Sequence, residues 1–463
     1  MIVMKLSARG WLKAIGAFCL SGGLVLAVSF PYLLYLLFSP RAPRVHAQPA
    51  GQLTWLKHLD VKPHVIAFSP EFSTDRLALL GTAREDREHG IWRSTDGGET
   101  WTKSSDGIPE GKEVDVYDIA FSPTFAQDQT VFASVHKQKV TVKEAVSALF
   151  RSTDGGKTWE EVIMQGFPIR SDGRPLQDLI ALSLSPDFAH DGTMFAVVAT
   201  KGVYRSTDRG STWQQVLVEN ANDVQAAPTF AQERLVAVAT TSSGLLLSTD
   251  GGETWSPSAG GLEGVRNVKQ VLFSRDFAQD RTILAMSPTE GIFLSRDAGA
   301  SWENIARPPG NQLMTHVAAT PTFASDRFLA YALLGGEIYL SEDLGLTWQA
   351  TGSAELLARQ VEGLFMPPDY ARSRTLYASS IYNGLFRYYP VEGGSEAAAM
   401  ATAVAVQATA TAEAIPTVMA RERQIREETL KETGCITYYI PPTIFLGIWA
   451  LHRRRRGGKG GRW

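Results

Sequence analysis

Short apolar runs, separated by segments that contain Gly, Pro and Asp, extend from about residue 52 to residue 390. Two of these runs are Val65-Ile66-Ala67-Phe68 and Leu179-Ile180-Ala181-Leu182. Short runs bounded by turn residues are typical of β-strands. Strands that are apolar on both faces are typical of sheets that are packed on both sides. The pattern therefore predicts an all-β domain built of many short strands.

An eight-residue phrase recurs six times along this domain. The first copy reads Ser94-Thr95-Asp96-Gly97-Gly98-Glu99-Thr100-Trp101, and the other copies begin at Ser152, Ser206, Ser248, Ser295 and Ser341. Successive tryptophans of the phrase lie 42 to 58 residues apart. This period is the length of one four-stranded sheet, and several such units in a row predict a propeller or an array.

The phrase is predicted to form a hairpin turn between two strands. An Asp side chain can bond backbone N–H groups inside such a turn, and Gly adopts backbone angles that other residues resist. The Trp that follows offers a large apolar surface for packing between sheets. Six equivalent copies around a ring cannot all line one site, so we assign a structural role to the repeated residues. With one further tryptophan near the N-terminus, they are Asp96, Asp154, Asp208, Asp250, Asp297, Asp343, Trp55, Trp101, Trp159, Trp213, Trp255, Trp302 and Trp348.

This phrase is the Asp-box, also called the BNR repeat, and residues 52–390 resemble Asp-box β-propellers. The families that the chain resembles are sialidases, sortilin/Vps10-like propellers, photosystem II assembly factors of the YCF48/HCF136 type and two-propeller xyloglucanases. The resemblance implies the architecture of the blade. It carries over no functional residue, and it leaves both binding and hydrolytic functions open.

A second phrase, of the type Phe68-Ser69-Pro70-Glu71-Phe72, recurs seven times in step with the Asp-box and predicts a loop between two strands. The last unit has no Trp, whereas Leu53-Thr54-Trp55 precedes the first unit without an Asp-box of its own. We therefore predict that the N-terminal strand completes the last sheet and closes a single seven-bladed β-propeller. Closure leaves no long unpaired sheet edge.

Composition and charge exclude several classes of function. The formal net charge is −3, and no concentration of basic residues in the ring argues for nucleic acid as a partner. The two cysteines, Cys19 and Cys435, lie outside the predicted ring, so the ring holds no disulfide and no cysteine metal site. We expect no cofactor, no metal ion and no nucleic-acid partner.

Residues 1–47 are predicted to be a cytoplasmic N-terminus and a membrane anchor. Residues 14–38 are uncharged and apolar over a length that can cross a membrane, and Lys5, Arg9 and Lys13 precede them. The alternative is a signal segment that is cleaved near Val45-His46-Ala47.

Three segments are predicted after the ring. Residues 391–434 form an Ala/Thr-rich stalk and a charged helix, residues 436–452 a C-terminal transmembrane segment, and residues 453–463 a basic cytoplasmic tail. The alternatives are self-association for the charged helix and a cleaved sorting signal for the second span. In each case we expect the propeller at the cell membrane, on the extracytoplasmic side.

Departures from the repeat mark a candidate partner-binding surface over the first three blades. By analogy with other propellers, the longest insertions lie on the face opposite the Asp-boxes. Loops carry function more often than the scaffold beneath them, although ordinary solvated extensions are the alternative. The candidate residues in these insertions are Lys137, Lys139, Lys143, Arg170, Asp172 and Arg174.

Polar residues on the innermost strands mark a second candidate, a small-ligand or ion site at the mouth of the central channel. Other blades place Val65, Ala181 or Gly363 at these positions. Simple hydration of the channel is the alternative. The polar residues are Tyr117, Asp118, Asp223 and His316, with Lys269, Gln270 and Glu362 beside them.

The sequence favours a membrane-anchored propeller that binds an extracytoplasmic protein or a surface polysaccharide and performs no chemistry. The alternative is an Asp-box glycoside hydrolase of the sialidase or xyloglucanase type. Such an enzyme needs paired carboxyl groups at a defined separation. Asp118 and Asp223 are predicted two blades apart, and the sequence does not set the distance between them.

Overall fold

Seven four-stranded antiparallel sheets make up the ring. The structure, a computed structural model, describes residues 55–83, 89–108, 114–137, 146–167, 178–351, 361–380 and 384–388. These residues belong to one compact unit, Leu53–Trp463. The predicted all-β seven-bladed propeller is thereby confirmed.

In blades 1 to 6 the strands run from innermost to outermost in chain order, and blade 7 takes its outermost strand from the N-terminus. Blades 1 to 3 contain β2 (Pro63–Phe68), β3 (Ala78–Thr82), β4 (Ile91–Ser94) and β5 (Thr102–Lys103); β6 (Val114–Phe121), β7 (Val131–Lys137), β8 (Val146–Ser152) and β9 (Glu160–Val162); and β10 (Leu179–Leu184), β11 (Met194–Val198), β12 (Gly202–Ser206) and β13 (Gln214–Leu217). Blades 4 to 6 contain β14 (Ala221–Ala226), β15 (Val236–Thr240), β16 (Leu245–Ser248) and β17 (Ser256–Pro257); β18 (Gln270–Phe273), β19 (Ile283–Ser287), β20 (Gly291–Ser295) and β21 (Glu303–Ala306); and β22 (Met314–Ala319), β23 (Leu329–Leu333), β24 (Ile338–Ser341) and β25 (Gln349–Ala350). Blade 7 contains β26 (Val361–Phe365), β27 (Leu376–Ser380), β28 (Gly384–Tyr388) and, as its outermost strand, β1 (Trp55–Leu59).

The N-terminal strand closes the ring, as predicted. Strand β1 pairs antiparallel with β28, and Trp55 lies opposite Tyr388. Side chains then join blade 7 to blade 1. Arg76 forms an ion pair with Asp369 at 2.8 Å, and the Tyr377 hydroxyl donates a hydrogen bond to the backbone oxygen of Gly97 at 3.2 Å.

Burial differs between the strands of a blade. The second strand is buried at every position in β3, β11, β15, β19, β23 and β27. The innermost strand instead alternates between buried and partly exposed residues, as in β2 and β14. The innermost strands are therefore less completely buried than the second strands, because they border the central channel.

The loop after each innermost strand contains one turn of helix, which the sequence pattern does not predict. In the first of these loops the Ser69 hydroxyl donates to Asp75 at 2.6 Å, and Arg76 ends the turn in the left-handed region at φ +54°. The Ser or Thr and the acid that close the turn recur in four other blades. The turns are α1 (Phe72–Asp75), α2 (Phe125–Asp128), α3 (Phe188–Asp191), α4 (Phe230–Glu233), α5 (Phe277–Asp280), α6 (Phe323–Asp326) and α7 (Tyr370–Ser373).

The ring has two chemically different faces. In blades 1 to 6 a backbone hydrogen bond joins the helical turn to the Asp-box of the same blade, for example Gly97 N–H to the Arg76 carbonyl at 2.9 Å. We call this side the Asp-box face. The opposite side, which carries the connections between second and third strands and between blades, is the loop face.

Among the residues that the structure describes, no helix is long and apolar enough to cross a membrane. The predicted anchor and stalk segments, residues 1–47 and 391–463, lie outside the described residues. The membrane predictions for these segments therefore stay predictions.

Candidate functional site

The Asp-box carboxylates hold their own turns. In the first copy the Ser94 hydroxyl donates to Asp96 Oδ1 at 2.7 Å, and the backbone N–H of Thr100 donates to the same oxygen at 3.0 Å. Gly98, at φ +90°, donates its N–H to Ser94 Oγ at 2.8 Å. Burial alone would raise the pKa of Asp96, but the hydrogen bonds from Thr100 and Ser94 outweigh it and lower the pKa to about 2. The same contacts recur at Asp154, Asp208, Asp250, Asp297 and Asp343.

The tryptophans join each blade to the one before it. The Trp159 indole N–H donates to the Ser104 carbonyl of blade 1 at 2.9 Å, and Trp55 donates to Thr351 Oγ1 of blade 6 at 3.0 Å. Trp255, Trp302 and Trp348 likewise donate to residues of the preceding blade, whereas Trp101 and Trp213 donate to a glycine carbonyl of their own turn. These side chains hold the ring together and leave the channel to other residues.

A β-bulge marks the start of the innermost strand in six of the seven blades. One residue is inserted opposite the second strand, which interrupts the alternation of side chains along the innermost strand. In blade 5 Lys269 occupies the matching position, just before β18, and its N–H donates to the Met286 carbonyl at 2.7 Å. The bulged residues are His64, Tyr117, Ile180, Asn222, Thr315 and Glu362.

In blades 2 and 4 the residue after the bulge is an aspartate that accepts a hydrogen bond from the next blade. Asp118 Oδ2 accepts the N–H of Leu182 in blade 3 at 2.7 Å. Asp223 Oδ2 accepts the N–H of Val271 in blade 5 at 3.0 Å. The second oxygen of each carboxyl accepts the N–H of the following residue of its own strand, at 2.8 Å in both cases. Two of the predicted channel residues therefore connect adjacent blades.

Both channel carboxyls hold protons unusually tightly. Burial raises the pKa of Asp118 to about 6, against the hydrogen bonds from Leu182 and Ile119 that lower it. Burial also raises the pKa of Asp223 to about 7, and the charge of Asp118 adds to the effect. Each side chain keeps partial access to the channel. The pair therefore changes charge close to neutral pH.

Two imidazoles lie at the loop-face end of the same channel. Nδ1 of His64 and Nδ1 of His316 are buried, and neither atom has a hydrogen-bond partner among the residues described here. Burial, followed by the charge of Lys269, holds the pKa of His316 well below its ordinary value. Lys269 Nζ donates to the Thr315 carbonyl at 2.8 Å, and burial lowers its pKa although the charge of Glu362 opposes this.

A hydrogen-bonded cluster around Asp178 lies beside these imidazoles. The Ser147 hydroxyl donates to Asp178 Oδ1 at 2.7 Å, His136 Nδ1 contacts the same oxygen, and the Tyr117 hydroxyl approaches Oδ2 at 3.5 Å. Tyr117 also packs against His64, with ring centroids 5.1 Å apart. Burial would raise the pKa of Asp178, but the hydrogen bonds from His136 and Ser147 outweigh it and lower the pKa.

The Asp178 cluster fixes the points at which the two longest insertions join the ring. Residues 138–145 lie between the strands that carry His136 and Ser147, and residues 168–177 lead directly into Asp178. The described residue that follows the second insertion therefore lies against the two strands that flank the first. Lys137 ends β7, whereas Lys139, Lys143, Arg170, Asp172 and Arg174 lie outside the described residues.

Within the described ranges no group of three His, Cys, Asp or Glu side chains is placed to hold a metal ion. A family model for outer membrane protein assembly factor BamB matches residues 142–395, more than half of the chain. The chain belongs to the BamB family. The BNR/Asp-box repeat model matches residues 92–103 of this BamB-family ring, which contain its first Asp-box. No curated protein matches the chain.

Solved structures similar to this BamB-family ring include two of YCF48 and one glycoside hydrolase. YCF48 bound to D1 peptide is 15% identical, with 73% of this chain and 97% of that chain covered and a TM-score of 0.50. YCF48 from Cyanidioschyzon merolae is 18% identical, with coverages of 73% and 99% and a TM-score of 0.47. The GH74 enzyme of Niastella koreensis is 16% identical, with coverages of 74% and 55% and a TM-score of 0.53. At these identities the likeness shows the fold alone.

The BamB-family ring brings together some predicted residues and adds others. Tyr117, Asp118, Asp223 and His316 face one channel from three blades, with His316 at the loop-face end. His64, His136 and Asp178 belong to the same region, and the sequence analysis does not select them. Asp178 carries a sequence signal, because it comes directly before an innermost strand and after a long insertion.

Proposed function

We propose that this BamB-family ring is a non-catalytic binding module that holds a protein partner on its loop face, over blades 1 to 3. The observation that carries the proposal is the Asp178 cluster. Its contacts to Ser147 and His136 hold two neighbouring insertions at one place on a rigid ring. Loops fixed at their bases lose less conformational entropy on binding than free loops do.

The environment of the channel carboxyls supports a role without chemistry. In both Asp118 and Asp223, each carboxyl oxygen accepts a hydrogen bond from a backbone N–H group. A glycosidase of the alternative type needs one carboxyl to transfer a proton and the other to act as nucleophile or base at the sugar. Because either role would break a contact between blades, we favour binding over hydrolysis.

The comparisons support a protein as the partner. The matching family is described as an assembly factor for outer membrane proteins. A ring of similar fold, YCF48, has been solved with a D1 peptide bound. Fold likeness alone does not transfer function, so the loop-face geometry carries the argument and the comparisons add to it. A surface polysaccharide is the competing ligand, and the experiment below distinguishes it.

The location is part of the same proposal. The apolar stretches at residues 14–38 and 436–451, with cations at their outer ends, are typical of segments that anchor a domain at a membrane. We propose that they hold the ring on the extracytoplasmic side, where the loop face meets its partner.

A crosslinking capture on intact cells tests both parts of the proposal. A membrane-impermeant amine crosslinker is added outside the cells before the tagged full-length chain is captured from solubilised membranes. Modification of the ring itself reports an extracytoplasmic location. Crosslinked proteins are candidate partners. Because the loop-face variant also removes two amines that the crosslinker can use, the comparison between variants is made without crosslinker, and a candidate whose recovery then falls at least about tenfold identifies the partner surface. That variant replaces four cations by Ala, at Lys137, Lys139, Arg170 and Arg174.

The matched control removes the same charge from the opposite face. It replaces Lys103, Lys157, Arg209 and Arg327 by Ala. Partner recovery is expected to persist in this control. Equal recovery from both variants would remove the loop-face proposal. Capture of polysaccharide without protein would replace the partner class, and an unmodified ring would remove the location.

A further inference from the structure

A cavity of about 310 Å³ opens at the channel mouth on the Asp-box face, opposite the proposed partner surface. Its lining comes from blades 1, 2, 5, 6 and 7, so the cavity lies on the axis of the ring. The lining side chains are mostly apolar and include Phe68 and Phe121, polar atoms form the rest of the walls, and the rim includes Pro321 and Pro368. One charged residue, Arg275, lies among the lining residues.

Arg275 departs from the repeat. The second phrase has Pro at this position in six blades, and Arg275 takes its place in blade 5. The Arg275 backbone N–H donates to the Pro321 carbonyl at 2.7 Å, a bond that a proline has no N–H to make. Its side chain crosses the channel mouth and donates from Nη2 to the Pro70 carbonyl of blade 1 at 3.1 Å. The guanidinium therefore lies at the opening of a cavity whose lining side chains are mostly apolar.

Among the described residues, three other arginines of this face pair with carboxylates, whereas Arg275 does not. Arg76, Arg281 and Arg374 each meet a carboxylate of the neighbouring blade at 2.7 to 2.8 Å. Arg275 is exposed, and within the described part of the chain no carboxylate pairs with it. A guanidinium has five N–H donors, and the bond to Pro70 uses one of them. The other four donors have no hydrogen-bond partner among the described residues.

We propose that this cavity binds the carboxylate of a ligand that also carries an apolar group of about the size of a phenyl ring. Arg275 would bind the carboxylate through two N–H groups, which is the geometry that arginine favours. Phe68 and Phe121 would contact the apolar group. A cavity of this volume is at the small end of ligand sites. Two sources share this chemistry, the C-terminal residue of a polypeptide and a free small acid.

Titration calorimetry with three probes on the full-length protein tests the site. The probes are N-acetyl-alanyl-phenylalanine, its C-terminal amide and 3-phenylpropionate. Both acids are expected to bind, and the amide at least about tenfold more weakly than its acid, because the charge-assisted bonds are lost. Tighter binding of the peptide acid than of phenylpropionate assigns the site to polypeptide C-termini. Equal affinity assigns it to small acids.

Two Arg275 variants and one matched control separate binding from structure. Arg275→Gln keeps the backbone N–H bond to Pro321 and loses only the exposed side-chain bond to Pro70, so urea unfolding is expected to change little while affinity for both acids falls at least about tenfold. Arg275→Lys keeps the charge without the paired donors and is expected to lose less. Arg327→Gln removes an equal charge from the same face outside the cavity, and Gln129 already occupies the equivalent place in blade 2.

The proposal is overturned by any of three results: no binding of either acid, equal affinity for acid and amide, or full affinity in Arg275→Gln. The site lies on the face opposite the proposed partner surface. Its failure would therefore leave the loop-face proposal intact, and loss of partner capture would leave this site intact.

Discussion

Asp223→Gln tests the chemistry of the channel directly. Asp223 accepts the Val271 N–H of the next blade at 3.0 Å. Blade 5 makes the equivalent contact with a neutral amide, because Gln270 Oε1 accepts the Val317 N–H at 2.9 Å. The substitution therefore keeps an acceptor that the fold already uses at this position and removes the titratable group. We expect the variant to gain stability over the natural chain as the pH rises.

The sign and size of this gain follow from the raised pKa. Burial moves the pKa of Asp223 from 3.8 to about 7 on folding. A group of this kind stabilises the native state while protonated, fully below pH 3.8, and loses that contribution as the pH rises through about 7. At about 1.4 kcal/mol for each tenfold change in proton affinity, the loss is about 4 kcal/mol. Because channel water reaches the carboxyl and screens its charge, we expect about 2 to 4 kcal/mol.

Urea unfolding at about pH 4.5, 6 and 8 measures the effect, read as the difference between variant and natural chain. Burial lowers the pKa of His58, His64 and His316, so these residues change stability in the opposite sense over this range. They are present in both proteins and cancel in the difference. A difference that stays constant from about pH 4.5 to 8 would refute the raised pKa.

The reverse substitution supplies a second, independent reading. Gln270→Glu places a third carboxyl at the same level of the channel as Asp118 and Asp223. We expect little change in unfolding free energy at about pH 4.5 and a loss of about 2 kcal/mol or more at pH 8, because a buried carboxyl resists ionisation. Equal destabilisation at both pH values would show that size, and not charge, decides the effect.

Two further predictions concern closure of the ring. Trp55 is 5% exposed, and its ring centroid lies 5.3 Å from that of Tyr388. We expect Trp55→Ala to lower the unfolding free energy, measured in urea, by about 3 to 5 kcal/mol, and a negligible loss would contradict closure by β1. Gly98→Ala places a Cβ 2.4 Å from the Tyr377 hydroxyl of blade 7. We expect it to lose at least about 1 kcal/mol more unfolding free energy than Gly264→Ala, because Gly264 has a similar positive φ but open space around it. Equal losses would show that backbone strain alone acts.

The number of blades could be predicted because each repeat is one complete sheet. Counting Asp-boxes and Pro-containing phrases counts sheets, and the mismatch between the two counts reveals the shared blade. The helical turns in the Pro-containing loops escape the same reasoning. A four-residue helix such as Phe72–Asp75 is too short to show a helical period. An acidic residue recurs three residues after the aromatic of the Pro-containing phrase, and this spacing is the sequence signal for the helical turn.

The channel could be predicted only as a set of polar positions. A β-bulge shifts the alternation by one residue, so consecutive residues such as Tyr117 and Asp118 both reach the channel region, which a period of two cannot show. The partners of these residues are equally hidden. Asp118 accepts a hydrogen bond from Leu182, 64 residues further along the chain, and His136 of blade 2 contacts Asp178 at the start of blade 3.

A ring of equivalent blades limits where a unique site can form. A residue that recurs in every blade forms a ring of identical groups, and in this chain such residues hold turns and join sheets, as Asp96 and Trp159 do. A ligand that is bound once must contact something that occurs once. Arg275 occurs once on the Asp-box face, and the insertions joined at Asp178 occur once on the loop face. Arg275 and the Asp178 cluster lie on opposite faces of the ring and share no residue. The two sites should therefore be lost independently on substitution, with additive effects in a combined variant.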